Sequence, residues 1–241
     1  MNTLKLDSKQ VRMIAHRGLS GLEKENTNSA FVAAGNRAKY YGIETDVHVT
    51  ADGQFIIIHD DNTKRVGIDE LSVEGSTFET LRKLRLTDID GKRGRQDLTL
   101  PTLTDYISIC KKYEKKAILE LKNPMSKKAI EGIVEVIRGL DYLTETVFIS
   151  FAFENMVTIR ELLPEQKAMF LVQKVWKESY LEDMKKYRLD LDIDYRMLTP
   201  EIVAGVHGIE QEVNVWTVNT VEDGERMVAM GVDYITTNIL E

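Results

Sequence analysis

Ile43-Glu44-Thr45-Asp46-Val47-His48-Val49 sets Glu44, Asp46 and His48 at alternate positions between residues that favour extended chain. Successive side chains of a strand point to opposite faces, so these three share one face. Residues 54–59 follow the turn signal Asp52-Gly53 and read as a second extended run, paired with the first or returning from it. On an edge strand the charged face would meet solvent, which for such a pattern taken alone is the commoner arrangement. In a parallel barrel strand one face meets the lumen and the other the helices. The rest of the chain decides between the two.

Outside that segment short apolar runs alternate with longer amphipathic ones. Residues 11–15 read as a strand and residues 26–40 as a helix, with Phe31, Ala34 and Ala38 at helical spacing. Residues 117–121, 147–151 and 168–172 read as strands, and 127–140 and 155–163 as helices. In the first of these helices Ile130, Ile133, Val134 and Ile137 form one stripe. The alternation continues with 178–187 and 189–193, then 200–208 and 213–218, then 221–230 and 234–236. About eight strands alternating with helices over 241 residues predict an α/β fold closed into a TIM (β/α)8 barrel. An open doubly wound sheet is the weaker alternative, because no G-x-G-x-x-G turn follows the first strand. Residues 60–101 are polar, turn-rich and too long for an ordinary loop. They predict a small insertion after the second barrel strand, within a single domain spanning 1–241.

Composition narrows the partners. The 32 Lys and Arg against 39 Asp and Glu give a net charge of −7, which disfavours nucleic acid. One cysteine, Cys110, excludes an intramolecular disulfide and reads as a small buried hydrophobe. The longest apolar runs are strand-sized, well below the roughly 20 residues of a membrane helix. Residues 1–10 carry Lys5, Asp7 and Lys9 and lack the apolar stretch of a leader. The expected setting is the cytoplasm, without stable membrane association.

A barrel enzyme builds its site at the C-terminal ends of the strands. His16 and Arg17 follow the first strand, and His59-Asp60 closes the run that begins at Gln54. Glu120 and Lys122 sit two apart at the end of residues 117–121, and Trp216 and Asn219 at or past the end of the strand from Val213. Singly, each such residue more often caps an element or lies on the surface. Jointly they make a case. Inward carboxylates on a barrel strand must be paired or bound to a cation, since unpaired buried charge is very costly. Glu44, Asp46 and Glu120 make an oxygen set without thiolate, suited to Mg²⁺, Ca²⁺ or Mn²⁺ rather than zinc. His16 and His59 titrate near neutrality, as acid–base chemistry needs. Arg17 and Lys122 offer positive charge to an anion such as phosphate.

These residues resemble a family. Ile14-Ala15-His16-Arg17-Gly18, then Glu25-Asn26-Thr27 and Ala30-Phe31, are similar to the opening of the glycerophosphodiester phosphodiesterases, in particular their short cytosolic bacterial members. So are Ile43-Glu44-Thr45-Asp46-Val47, His59-Asp60 with Arg65, Pro101-Thr102-Leu103, Leu119-Glu120-Leu121-Lys122, Val215-Trp216-Thr217-Val218-Asn219 and Gly231-Val232-Asp233. The likeness implies a TIM barrel that hydrolyses glycerophosphodiesters to sn-glycerol 3-phosphate and an alcohol with one divalent cation. It implies Glu44, Asp46 and Glu120 as metal ligands, His16 and His59 as the acid–base pair, Arg17 and Lys122 on the phosphate, and Trp216 against the glycerol. Two positions depart from the family's pattern. Lys24 precedes Glu25 where proline is common, and Asn238 follows Thr237 where aspartate is common; neither is expected to touch a ligand. His48 falls at a variable position, and His207 reads as structural or surface. Alternatives are a lysophospholipase D-like enzyme acting on lipids, and a barrel that binds phosphodiesters without turning them over.

Overall fold

The computed structural model describes residues 2–67 and 69–241. Strand β1 (Arg12–Ala15) leads to helix α1 (Asn28–Gly35), and β2 (Tyr40–Val49) turns into β3 (Phe55–Ile57). After α2 (Phe78–Arg82) and α3 (Leu103–Lys112) the alternation is regular: β4 (Lys116–Leu121), α4 (Lys127–Gly139), β5 (Thr146–Ser150), α5 (Phe153–Leu162) and β6 (Ala168–Val172). It ends with α6 (Ser179–Tyr187), β7 (Asp190–Asp194), α7 (Pro200–Gly208), β8 (Val213–Trp216), α8 (Val221–Met230) and β9 (Tyr234–Thr237). Parallel pairing runs β1-β2-β4-β5-β6-β7-β8-β9 and closes from β9 back to β1, so eight strands form the expected TIM barrel. β3 stands outside the ring, antiparallel to the end of β2 with Val47 opposite Ile57.

The two faces of each strand build separate cores. Ile14, Ile118, Val147, Ile149, Met169, Leu171 and Tyr234 fill the lumen, with Tyr41 and Trp216 packed against them. The outward residues join the helices in the main core. A third cluster, including Ile56, Ile58, Val66, Val73, Leu81, Leu98 and Leu100, lies under the segment between β3 and α3. Burying each such Leu or Ile is worth about 1.5–3 kcal/mol, enough to order that turn-rich segment around its own small core.

Local chemistry moved some boundaries. α1 starts later than residue 26, because Asn26 takes a left-handed backbone (φ 51°) and Thr27 caps the helix through Ala30 N. β2 starts at Tyr40, drawn back by pairing with β1 from Met13 onward. α3 was not anticipated; a capping box joins Thr102 and Asp105 at its start, a spacing visible in the sequence. No helix is long and apolar enough to cross a membrane among the described residues. Cys110 is fully buried, as expected.

The N-terminal end of the lumen is closed by charge. Glu212 accepts from Arg12, Lys167 and the Tyr234 hydroxyl, Lys167 lies 3.0 Å from Asp190, and the Arg12 guanidinium stacks 3.8 Å from the Tyr234 ring centre. Asp190 also accepts from the Glu212 amide at 2.8 Å.

Candidate functional site

β2 and β4 pair in parallel with Asp46 opposite Glu120, so period two carries Glu44, Asp46 and Glu120 into the C-terminal end of the lumen. One oxygen from each lies within 4.8 Å of the other two, and the residues are 4%, 1% and 7% exposed. Such crowding opposes ionisation. Burial, then Asp46, push the Glu44 carboxyl well above the usual range, and the same two causes raise Glu120 to about 8. Burial works against charge on Asp46 too, but Arg17 and Lys122 outweigh it and hold Asp46 below the usual carboxylate range. Asp46 Oδ1 is buried with no hydrogen bond, and Lys122 Nζ stands off at 3.6 Å. An oxygen-only donor set with one unsatisfied oxygen and excess negative charge fits a divalent cation such as Mg²⁺, Ca²⁺ or Mn²⁺.

The first loop supplies positive charge from a tight turn. Arg17 has a left-handed backbone (φ 54°), and its amide donates to Glu44 Oε2 at 2.8 Å. Gly18 continues the turn at φ 76°, where a Cβ would stand 2.6 Å from the Ala30 backbone, so only glycine fits. The Arg17 side chain meets Glu25 at 2.9 Å and Asp46 at 3.6 Å. Across the cluster Lys122 Nζ lies 2.8 Å from Glu120.

Both histidines are oriented through Nδ1. His16 Nδ1 donates to Asn238 Oδ1 at 2.7 Å, an oxygen that also accepts from Ser20 Oγ at 2.9 Å. Nε2 is left on the site side, 4.0 Å from Glu44. Burial and then Arg17 lower the His16 pKa to about 4, so the ring is neutral. His59 Nδ1 donates to Asp60 Oδ1 at 2.6 Å, and burial lowers this pKa as well. Asp60 is gripped by Arg65 through both oxygens, Arg65 grips Glu25, and Glu25 returns to Arg17. Burial opposes the charge on Glu25, but Arg65 and Arg17 overcome it and hold its pKa down at about 2.

A pocket of about 420 Å³ opens over this cluster. His16, Arg17, Glu44, His59 and Glu120 line its ionic side, and Ile149, Phe151, Leu171, Asp192 and Trp216 the other. Phe151 and Trp216 meet edge to face with centres 5.6 Å apart.

Comparison with known proteins agrees with this geometry. The profile of the glycerophosphoryl diester phosphodiesterase family matches residues 16–241. The chain belongs to that family. It is 31% identical over 232 residues to YhdW of Bacillus subtilis, covering 94% of this chain and 93% of that protein. It is 28% identical over 228 residues to a glycerophosphodiester phosphodiesterase of Caldanaerobacter subterraneus, covering 94% and 93%. The fold matches a phosphodiesterase of Oleispira antarctica, solved in complex with the product sn-glycerol-3-phosphate, with a TM-score of 0.83 at 23% identity, covering 98% and 96% of the two chains.

In this family member the eight residues singled out from sequence come together. His16, Arg17, Glu44, His59, Glu120 and Trp216 line one pocket, and Asp46 and Lys122 reach it through their contacts with Arg17 and Glu120. His48 does not join them. It sits where β2 has left the ring to pair with β3, buried between Glu74 at 3.1 Å and the His59 carbonyl at 3.4 Å. Asn219 faces the chain instead, accepting from the Asn238 amide at 2.8 Å. His207 is exposed and meets Asp233 at 2.9 Å. Asn238, a departure from the family's pattern that touches no proposed metal ligand, orients His16. Asn26 was quoted for its motif alone, yet its Nδ2 donates to Asp46 Oδ2 at 2.8 Å. Asp192 went unmarked.

Proposed function

We propose that this phosphodiesterase hydrolyses glycerophosphodiesters to sn-glycerol 3-phosphate and an alcohol, using one divalent cation held by Glu44, Asp46 and Glu120. The convergence of two Nδ1-oriented histidines on an oxygen-only triad carries the reading. When bound, Mg²⁺, Ca²⁺ or Mn²⁺ would offset negative charge on the phosphoryl oxygens. Arg17 and Lys122 add positive charge beside the triad and hold the phosphate against the repulsion that a phosphodiester monoanion offers a nucleophile. One histidine takes a proton through Nε2 from the attacking oxygen, either water or the glycerol 2-hydroxyl. The other, once Nε2 has taken up a proton and the ring is an imidazolium, gives that proton to the leaving alcohol. Asn238 and Asp60 keep each ring turned so that Nε2 does this work. Trp216 walls the glycerol. The product complex of the Oleispira antarctica enzyme supports a small-molecule substrate of this class. The proposed setting is the cytoplasm.

The test is release of sn-glycerol 3-phosphate from glycerophosphocholine and glycerophosphoethanolamine with Mg²⁺, with Ca²⁺ and with a chelator. Turnover should vanish with the chelator, and His16→Ala should lower it by about 10²–10⁴-fold. Loss of less than about tenfold would remove His16 from the acid–base pair. A lysophospholipid substrate is the second reading, favoured by Phe151, which lines the pocket yet is 41% exposed. It would be adopted if lysophosphatidylcholine were cleaved and the water-soluble diesters were not.

A further inference from the structure

β7 carries three aspartates at alternate positions, Asp190, Asp192 and Asp194, which period two puts on one face. The outer two have cationic partners. Asp190 lies 3.0 Å from Lys167 at the N-terminal end, and Asp194 pairs with Arg196 at the opposite end. Asp192, between them, is 1% exposed and has no cation beside it among the described residues. Its Oδ1 accepts from Asn214 Nδ2 at 2.8 Å; its Oδ2 has no hydrogen-bond partner among the described residues, and the residue lines the pocket. That oxygen opens on the pocket, where only water or a ligand can complete it.

The surroundings say what that something is. In an eight-membered ring β7 stands four strands from β2, directly across the lumen from Glu44 and Asp46. A phosphate held at the ionic side leaves one of its two ester substituents able to reach Asp192 across the pocket. Asn214 is itself fixed by Thr236 on β9, its Nδ2 donating to Thr236 Oγ1 at 2.9 Å, so the carboxyl is clamped at a set height. The Trp216 indole N–H, from the neighbouring strand, is buried without a hydrogen-bond partner. A hydroxyl in the pocket can donate to Asp192 Oδ2 when the carboxyl is charged and accept from it when it is protonated, which an ammonium group cannot. Burial pushes the Asp192 carboxyl up to about 7, with Asn214 holding it back, so either protonation state can bond a hydroxyl. Arg196 at the strand's outer end is largely exposed, which puts Asp192 below the rim. The enclosed side suits the half of the substrate that never varies, and the open mouth suits the leaving alcohol.

We propose that Asp192 is a specificity residue that binds a hydroxyl of the glyceryl half of the substrate, with Asn214 as the residue that positions it. The assignment of the hydroxyl to a glyceryl group rests on the function proposed above.

The experiment compares sn-glycerol 3-phosphate, propyl phosphate and inorganic phosphate as ligands of the Mg²⁺-loaded protein by titration calorimetry. It adds kcat/KM for glycerophosphocholine and for bis(p-nitrophenyl) phosphate, which has no hydroxyl. Wild type should bind glycerol 3-phosphate at least tenfold tighter than propyl phosphate. Asp192→Ala should erase that preference and cut kcat/KM for glycerophosphocholine at least tenfold, leaving inorganic phosphate binding and the nitrophenyl diester within threefold. Asp192→Asn, which keeps an acceptor and a donor, should retain most of the preference. Equal losses on both diesters, or none, would overturn the proposal. If Asp192→Ala does not fold, the wild-type comparison decides, and equal affinity for propyl and glycerol phosphates overturns it. A protein that prefers glycerol 3-phosphate but leaves glycerophosphocholine intact would sink the proposed reaction and keep the hydroxyl site. Turnover with an unchanged Asp192→Ala variant would do the reverse.

Discussion

At the N-terminal end of the lumen Arg12, Lys167, Asp190, Glu212 and Tyr234 bond one another from the starts of five adjacent strands, β6 to β9 and β1. At the C-terminal end three carboxylates share Arg17 and Lys122, and Asp46 Oδ1 and Trp216 Nε1 are left without hydrogen bonds. Both sets are clustered charge in one barrel, the first partly exposed and the second buried. One set satisfies itself and has nothing left for a ligand. The other is stable only as far as a ligand completes it, which is the physical signature of a site rather than a brace.

Glu44→Gln tests that contrast most severely. The change keeps the shape and removes one crowded negative charge. Turnover should fall on the order of a hundredfold or more, while the melting temperature in chelator stays level or rises. A lower melting temperature in chelator would make Glu44 a brace and erase the difference between the two ends.

Glu212→Gln should do the opposite. It removes the negative charge and one of the two oxygens that accept from Arg12 and Lys167, and should cost about 1–3 kcal/mol in urea unfolding, with kcat unchanged. Burial opposes the Glu212 charge, but Lys167, Arg12 and Tyr234 hold its pKa down at about 2, against an ordinary 4.5. A folded-state value below the unfolded one contributes stability above pH 4.5 and loses it as the pH falls from about 4.5 toward 2. The variant should therefore show a shallower acid limb than wild type. An identical acid limb would take Glu212 out of the brace.

The smallest effect is expected at His207, near the C-terminal end of α7 and on the same side of the barrel as the brace. It is exposed and bonds only Asp233 through its ring. His207→Ala should move stability by no more than about 0.5 kcal/mol and turnover not at all. A larger change would extend the brace to the helix layer.

The ionic half of the site was readable because its residues fall at strand ends with period-two spacing. Glu44 and Asp46 alternate with Ile43, Thr45 and Val47, and Glu120 and Lys122 repeat the pattern on β4. The same logic applies to Asp190, Asp192 and Asp194, but sequence does not tell which of three alternating aspartates lacks a cation. That depends on Lys167 and Arg196, one arriving from another strand. Asn238 was hidden for a related reason: it lies just past β9, and only ring closure brings it against His16. The eight barrel strands were legible from alternation. α3 was missed although Thr102 and Asp105 signal its start, and His48 shared the face of Asp46 in sequence but left the ring with the hairpin.

The chain of contacts from Arg17 through Glu25, Arg65 and Asp60 to His59 runs between the β1–α1 loop and the segment after β3. Those two pieces behave as lock and key cut together. A chimera that imports residues 58–101 from a relative inherits an Arg65 counterpart shaped for that relative's loop, so His59 would hang from a mismatched hinge even with every pocket residue preserved. A chimera of this barrel should keep the contact chain when the first loop travels with the insertion, so the breakpoints belong outside both.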